Sequence, residues 1–105
     1  MLCVKVDEKV VGKVEYKICD DACKIIWFNA PGFGAFILGQ LESVLREEKV
    51  GFVELLCSLS ESEADATCLR RLNFYMHHGF SAKKVLYGND SHGQAYTKLT
   101  LFKKL

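Results

Sequence analysis

Two stretches of this 105-residue chain carry residue types that can do chemistry. The first is Gly32-Phe33-Gly34. An apolar run from Ile25 to Phe28 stops at Asn29, Ala30 and Pro31 just before it. A helical period begins just after it, with Ile37, Leu41, Val44 and Leu45 at i, i+4, i+7 and i+8. A strand that enters a helix through a Gly-x-Gly loop leaves main-chain N–H groups exposed at the positive end of the helix dipole. That is an anion site. Glycine has no Cβ, so a phosphate can come close to the main chain there. The same residues also suit a plain strand-to-helix turn.

The second stretch surrounds Tyr75, which falls on the apolar face of a later helical segment. A tyrosine there either serves the core with one hydrogen bond or delivers a proton. Glu54 lies inside an otherwise apolar strand. Its carboxylate is either a general base with a raised pKa or a solvent-facing group. His77 and His78 stand where the negative end of a helix favours an imidazolium, and Arg70-Arg71 reads as a solvated face. Trp27 reads as core.

Composition restricts what these groups can serve. Half the residues are hydrophobic and 26% are charged, as in soluble globular proteins. The net charge of +1 gives no bulk attraction to nucleic acid or to a membrane surface. No apolar run reaches spanning length, and the first residues lack the pattern of a signal peptide. The length predicts one domain over residues 1–105. Five cysteines (Cys3, Cys19, Cys23, Cys57 and Cys68) then read as reduced, mostly buried thiols of a cytoplasmic protein. Cys19 and Cys23 lack the second pair that a zinc site needs, so no metal is expected.

Alternating apolar residues predict strands at Leu2–Val6, Val10–Ile18 and Lys24–Asn29, joined by the polar turns Asp7-Glu8-Lys9 and Asp20-Asp21. Gly12 marks a bulge in the second strand. The helix after Gly34 runs to about Glu48-Lys49, and Val50–Cys57 is the next strand. A strand, a helical crossover and a strand make a parallel pair. Ser60 with Glu63 forms a capping box for a second helix, whose Cys68, Leu72, Tyr75 and Met76 share one face. Gly79 stops it as a C′ glycine with Phe80 as its apolar partner. Lys83–Tyr87 and Gln94–Phe102 complete the order β-β-β-α-β-α-β-β, an α+β mixed sheet with two helices.

That order, with Gly-x-Gly opening the first helix and Tyr-x-x-x-Gly-Phe closing the second, resembles the GNAT (Gcn5-related) N-acetyltransferases. The family's cofactor motif, Gln/Arg-x-x-Gly-x-Gly/Ala, is matched by Asn29-Ala30-Pro31-Gly32-Phe33-Gly34. Its second motif, Asn-x-x-Ala-x-x-x-Tyr-x-x-x-Gly-Phe, is matched at Tyr75, Gly79 and Phe80, with Cys68 and Arg71 at the Asn and Ala positions. The resemblance spans nearly the whole chain. It implies a splayed parallel strand pair holding acetyl-CoA, with Trp27, Phe28 and Asn29 along the pantetheine arm. It places the amides of Gly32, Phe33, Gly34 and Ala35 on the pyrophosphate and Cys68 beside the cofactor. It makes Tyr75 the general acid on the leaving thiolate and leaves Glu54 as a candidate base.

Three departures shape the expected function. Asn29 is shorter than the usual Gln or Arg, Cys68 replaces Asn, and the chain opens directly on the meander. The family normally begins with a further strand and two helices that build the acceptor pocket. The acceptor amine, a small molecule or a protein, is therefore held by a partner or a homodimer mate, or is a large exposed substrate, or catalysis is lost. The last alternative resembles ornithine decarboxylase antizyme, a GNAT-like module that binds protein without acetyl transfer.

Overall fold

The computed structural model describes residues 1–60, 66–89, 91–93 and 95–105, and at 58–60, 66–69 and 96 the main chain only. Its elements are β1 (Leu2–Val6), β2 (Lys9–Cys19), β3 (Ala22–Asn29), α1 (Gly34–Glu47), β4 (Phe52–Ser60), α2 (Ala66–His77), β5 (Ser81–Asn89) and β6 (Ala95–Lys104). The element order is the expected one. The strands form one sheet in the order β1-β2-β3-β4-β6-β5. It is mixed, and β3 and β4, joined through α1, are its parallel pair. Ser60, expected in a loop as the first member of the capping box, is instead the last residue of β4, and Glu63, the second, lies outside the described residues. No described helix is long and apolar enough to cross a membrane.

The chain divides into two compact units. The first comprises Met1–Glu54 with Lys104–Leu105. Its β1–β2 hairpin turns at Asp7 and Glu8, both at positive φ, the geometry that matches strand twist across a two-residue loop. Val4 pairs with Gly12 and Lys5 with Val10, so Val11 is an extra residue. The expected bulge is therefore present, immediately beside Gly12. A second bulge was not legible: Glu15 pairs with Trp27 and Tyr16 with Ile25, which leaves Ile26 extra in β3.

The Ile26 bulge overturns the reading of Trp27 as core. Side chains alternate between faces along a strand, and one inserted residue reverses the phase. Cys23 and Ile25 are buried before the bulge, whereas Trp27 after it is 52% exposed and Phe28 turns inward. α1 packs against β1 and β2. Its buried side chains are Ile37, Leu38, Leu41, Glu42 and Leu45, a wider stripe than the predicted one. α1 ends in a Schellman motif: Val50 N–H donates to the Leu45 carbonyl (2.9 Å) and Lys49 N–H to that of Arg46 (3.1 Å). Lys49 takes the left-handed position at φ 60°. This closure occupies Val50, and Gly51 N–H donates to the Asp21 carbonyl, so β4 begins at Phe52 rather than Val50.

The second unit is Leu55–Lys103. Its buried side chains include Leu55, Cys57, Tyr75, Phe80 and Leu101. α2 ends in the predicted manner. Phe80 N–H donates to the Tyr75 carbonyl (3.0 Å), Gly79 N–H to that of Met76 (3.2 Å), and Gly79 has φ 93°. The rings of Tyr75 and Phe80 meet edge to face at 5.5 Å. Met76 is exposed, a correction to the predicted face, because it lies a full 100° around the helix from Tyr75. β5 and β6 pair antiparallel with a bulge at Lys83, whose ammonium lies 5.5 Å from the centre of the Phe102 ring.

Among the described cysteines no disulfide forms. Cys23 and Cys57 are buried, as expected of thiols in a core. Cys3 and Cys19 are exposed, against expectation: Cys3 lies on the exposed phase of β1 between the half-buried Leu2 and Val4, and Cys19 is the last residue of β2. No group of three or more metal-ligating side chains occurs among the described residues.

Candidate cofactor loop and buried tyrosine

In the first unit, β3 leaves the sheet after Asn29, the last residue paired to β2, opposite Lys13. The next four residues, Ala30 to Phe33, form a tight turn closed by Phe33 N–H donating to the Ala30 carbonyl at 2.9 Å. Pro31 fixes the second position and Gly32 supplies φ 77° at the third, the requirements of a type II turn. A Cβ on Gly32 would touch nothing within 4 Å, so Gly32 is needed for its backbone angle and not for space.

Phe33 ends the turn and starts α1. Its carbonyl accepts the first helical hydrogen bond, from Ile37 N–H at 3.0 Å. The N–H groups of Gly34, Ala35 and Phe36 therefore precede the helical ladder and have no acceptor within it. No side chain caps the helix start, and its first turn holds no acidic residue. Most helix starts carry such an acceptor. Here neither is present, so the first N–H groups of α1 meet no capping side chain and no acidic residue of that turn.

Of the residues that sequence reading assigned to the cofactor, Trp27, Phe28, Asn29, Gly32, Phe33, Gly34 and Ala35 form one continuous strand–turn–helix passage. Trp27, Asn29, Gly32 and Ala35 are exposed, and Phe28, Phe33 and Gly34 are half-buried. The side chain of Cys68, within α2, lies outside the described residues. Sequence reading took Gly12 only for a bulge; a Cβ there would lie 2.7 Å from that of Ala30. A glycine in the middle of an alternating strand was its one signal.

Tyr75 is 8% exposed and belongs to the second unit. Burial, reinforced by the negative charge that Cys57 would carry and opposed by Arg71, pushes its phenol up to about 12. The hydroxyl is thus protonated at every physiological pH. Glu54 is half-exposed and lies opposite the buried Val53 and Leu55 in the strand alternation.

No family model matches this chain, and no curated protein sequence does. Solved structures match throughout its length. A GNAT-family acetyltransferase from Desulfovibrio desulfuricans superposes with a TM-score of 0.78 over 97% of the chain, at 18% identity. The fold is GNAT-like. A ribosomal-protein-alanine N-acetyltransferase from Brucella melitensis gives 0.75 over 98%, at 18% identity. An aminoglycoside 6′-N-acetyltransferase in complex with coenzyme A gives 0.76 over 97%, at 12% identity. The chain spans about two thirds of these proteins' lengths: 66%, 67% and 70%. Identities this low establish the GNAT-like architecture and leave activity and acceptor to be argued from the residues.

Proposed function

We propose that this chain binds acetyl-CoA and transfers its acetyl group to an amine. The observation that carries the reading is the start of α1. A type II turn delivers the chain into a helix whose first amides meet neither a capping side chain nor an acidic residue. Those amides, from Gly34 to Phe36, would hold the cofactor's pyrophosphate, with Trp27, Phe28 and Asn29 along the pantetheine arm. Acyl transfer then needs an amine positioned against the thioester and a donor for the departing sulfur.

Tyr75 is the donor in this reading. Its pKa of about 12 refines the role. A thiol titrates near 8.5, so full proton transfer from Tyr75 to a thiolate is uphill by roughly three to four units. A hydrogen bond from the hydroxyl to the sulfur carries no such cost and stabilises charge as it develops. Glu54 or a water relayed by it would take the amine proton. The named neighbours act on acceptors as different as an aminoglycoside and a ribosomal protein, so the acceptor here is specified as an amine and no further.

Thermal melting with and without acetyl-CoA tests the reading. A ligand that binds only the native state raises its stability by about 2.7 kcal/mol at one hundred times its dissociation constant. A rise in Tm with acetyl-CoA, together with thiol release in the presence of a panel of amines, is the expected result. No shift at millimolar ligand would remove the enzyme and leave a GNAT-like protein-binding module.

A further inference from the structure

We infer that Gly12 is a positioning residue for the candidate cofactor loop, setting from β2 where the first amides of α1 stand. The inference rests on the acetyl-CoA reading above and extends it to a residue outside the loop.

Gly12 is buried next to the Val11 bulge, paired with Val4 of β1 on one side. On the other side β2 and β3 stay paired as far as Lys13 and Asn29. Ala30, the next residue, folds in over Gly12. A Cβ built on Gly12 would lie 2.7 Å from the Ala30 Cβ, 2.9 Å from its Cα and 3.4 Å from the Asn29 carbonyl oxygen. Ordinary contacts begin at 3.4 Å, and the obstructing atoms are main chain or joined directly to it. They cannot swing aside as the end of a long side chain can. φ at Gly12 is not in the left-handed region, so the glycine is required for space.

Ala30 is 8% exposed, held between β2 and the core. Its carbonyl closes the turn through Phe33 N–H, and the Phe33 carbonyl in turn opens α1 through Ile37 N–H. A displacement of Ala30 is therefore passed through two hydrogen bonds of 2.9 and 3.0 Å to the amides of Gly34, Ala35 and Phe36. Several donors converging on one phosphate tolerate only about 0.5 Å of misplacement. Relieving a 2.9 Å contact to ordinary distance requires at least that much movement. The missing side chain at Gly12 thus fixes the height of the loop above the sheet.

The test combines amide NMR with calorimetric CoA titration on the wild type, on Gly12→Ala and on the double variant Gly12→Ala/Ala30→Gly. The double variant takes away the nearest obstructing atom. For Gly12→Ala the expected result is shifted resonances at Gly32 to Phe36, an unchanged second half of α1, and CoA affinity lower by about tenfold or more, the loss of one charge-assisted hydrogen bond. The double variant should recover only part of both, because the Ala30 Cα still stands 2.9 Å from the added Cβ. Unchanged Gly32–Phe36 resonances in Gly12→Ala would overturn the inference whether or not CoA binds. Shifted resonances with wild-type CoA affinity would also overturn it, because the coupling would then serve no positioning. Shifted resonances in a protein whose wild type ignores CoA would instead refute the acetyl-CoA reading and retain the mechanical link. If Gly12→Ala alone fails to fold, the double variant is read in its place: shifted Gly32–Phe36 resonances with CoA affinity below wild type support the inference, and wild-type resonances overturn it.

Discussion

The main-chain N–H of Gly51 is shared between the carbonyl oxygen and the carboxylate Oδ1 of Asp21, each at 2.9 Å. Asp21 also accepts from Phe52 N–H at 3.1 Å, and Leu105 N–H donates to the Gly51 carbonyl at 2.8 Å. Asp21 immediately precedes β3 and Gly51 immediately precedes β4, so the clamp sets where the two parallel strands begin. A Cβ on Gly51 would fall 2.5 Å from the Asp21 carboxylate. Gly51→Ala must therefore expel that side chain and lose its hydrogen bond, at a cost of about 1–3 kcal/mol. Asp21→Ala should cost about 1 kcal/mol. The double variant should cost less than the sum, since the group being expelled is already gone. Urea titration of the four proteins measures this coupling. Strict additivity would show that the clamp and the clash are independent.

Gly34→Asp separates helix stability from ligand binding. Gly34 is the first residue of α1. A carboxylate at a helix start is favoured by the dipole by about 0.3–1 kcal/mol, and the aspartate has a better helix propensity than glycine. The variant should therefore melt at or slightly above the wild-type temperature. If Gly34 to Phe36 hold a pyrophosphate, the same carboxylate repels it, and CoA affinity should fall below detection by calorimetry. Equal CoA affinity in the two proteins would reject the loop assignment even if the enzyme reading survives.

The two Schellman motifs allow a matched comparison. Gly79 reaches φ 93°, where any other residue is strained. A Cβ there would meet only the Lys103 side-chain end at 3.2 Å, which can move. Gly79→Ala should thus destabilise by about 1–2 kcal/mol through backbone strain alone. Lys49 occupies the equivalent place in α1 at φ 60°. Lys49→Gly should relieve its strain and leave stability equal or up to about 1 kcal/mol higher, the gain being offset by glycine's larger unfolded-state entropy. Denaturant midpoints of both variants check the contrast. A stability loss in Lys49→Gly as large as that in Gly79→Ala would contradict it.

Much of this was legible in the sequence because it is local. Gly79-Phe80 announces a helix end, Pro31-Gly32 announces a turn, and a 3.6-residue period announces α1. The Trp27 error has a different origin. The Ile26 bulge depends on how β2 and β3 pair, and no residue in Ile25–Phe28 signals the phase change. Gly12 shows the same limit from the other side. Sequence reading predicted its bulge, but the residue that an added Cβ would meet first is Ala30, eighteen positions away, brought there only once β2 and β3 have paired. The Gly-x-Gly motif marked the start of α1. That Phe33 takes the N-cap position, with no side-chain cap hydrogen bond, was visible only in three dimensions.

Tyr75 gives the last prediction, through its titration and its chemistry together. Its ordinary pKa of 10.0 describes the unfolded chain, and burial raises the folded value to about 12. Below pH 10 both states hold the proton, and the full stability is present. Between pH 10 and 12 the unfolded chain ionises while the folded protein does not, so stability falls as pH rises through this window. Two units correspond to about 3 kcal/mol. Cys23, raised by burial from 9.0 to about 11, adds a similar loss between pH 9 and 11. Urea midpoints from pH 8 to 12 should therefore decline in both wild type and Tyr75→Phe, with the decline above pH 11 much reduced in the variant. A wild-type curve flat across this range would contradict the burial of both groups. The same substitution keeps the edge-to-face contact with Phe80 and removes only the hydroxyl. If that hydroxyl stabilises a departing thiolate, turnover should drop by roughly 10²–10³-fold while CoA affinity stays within a factor of about two. Unchanged turnover would make Tyr75 a core residue, and a matching loss of CoA affinity would make it a binding residue instead.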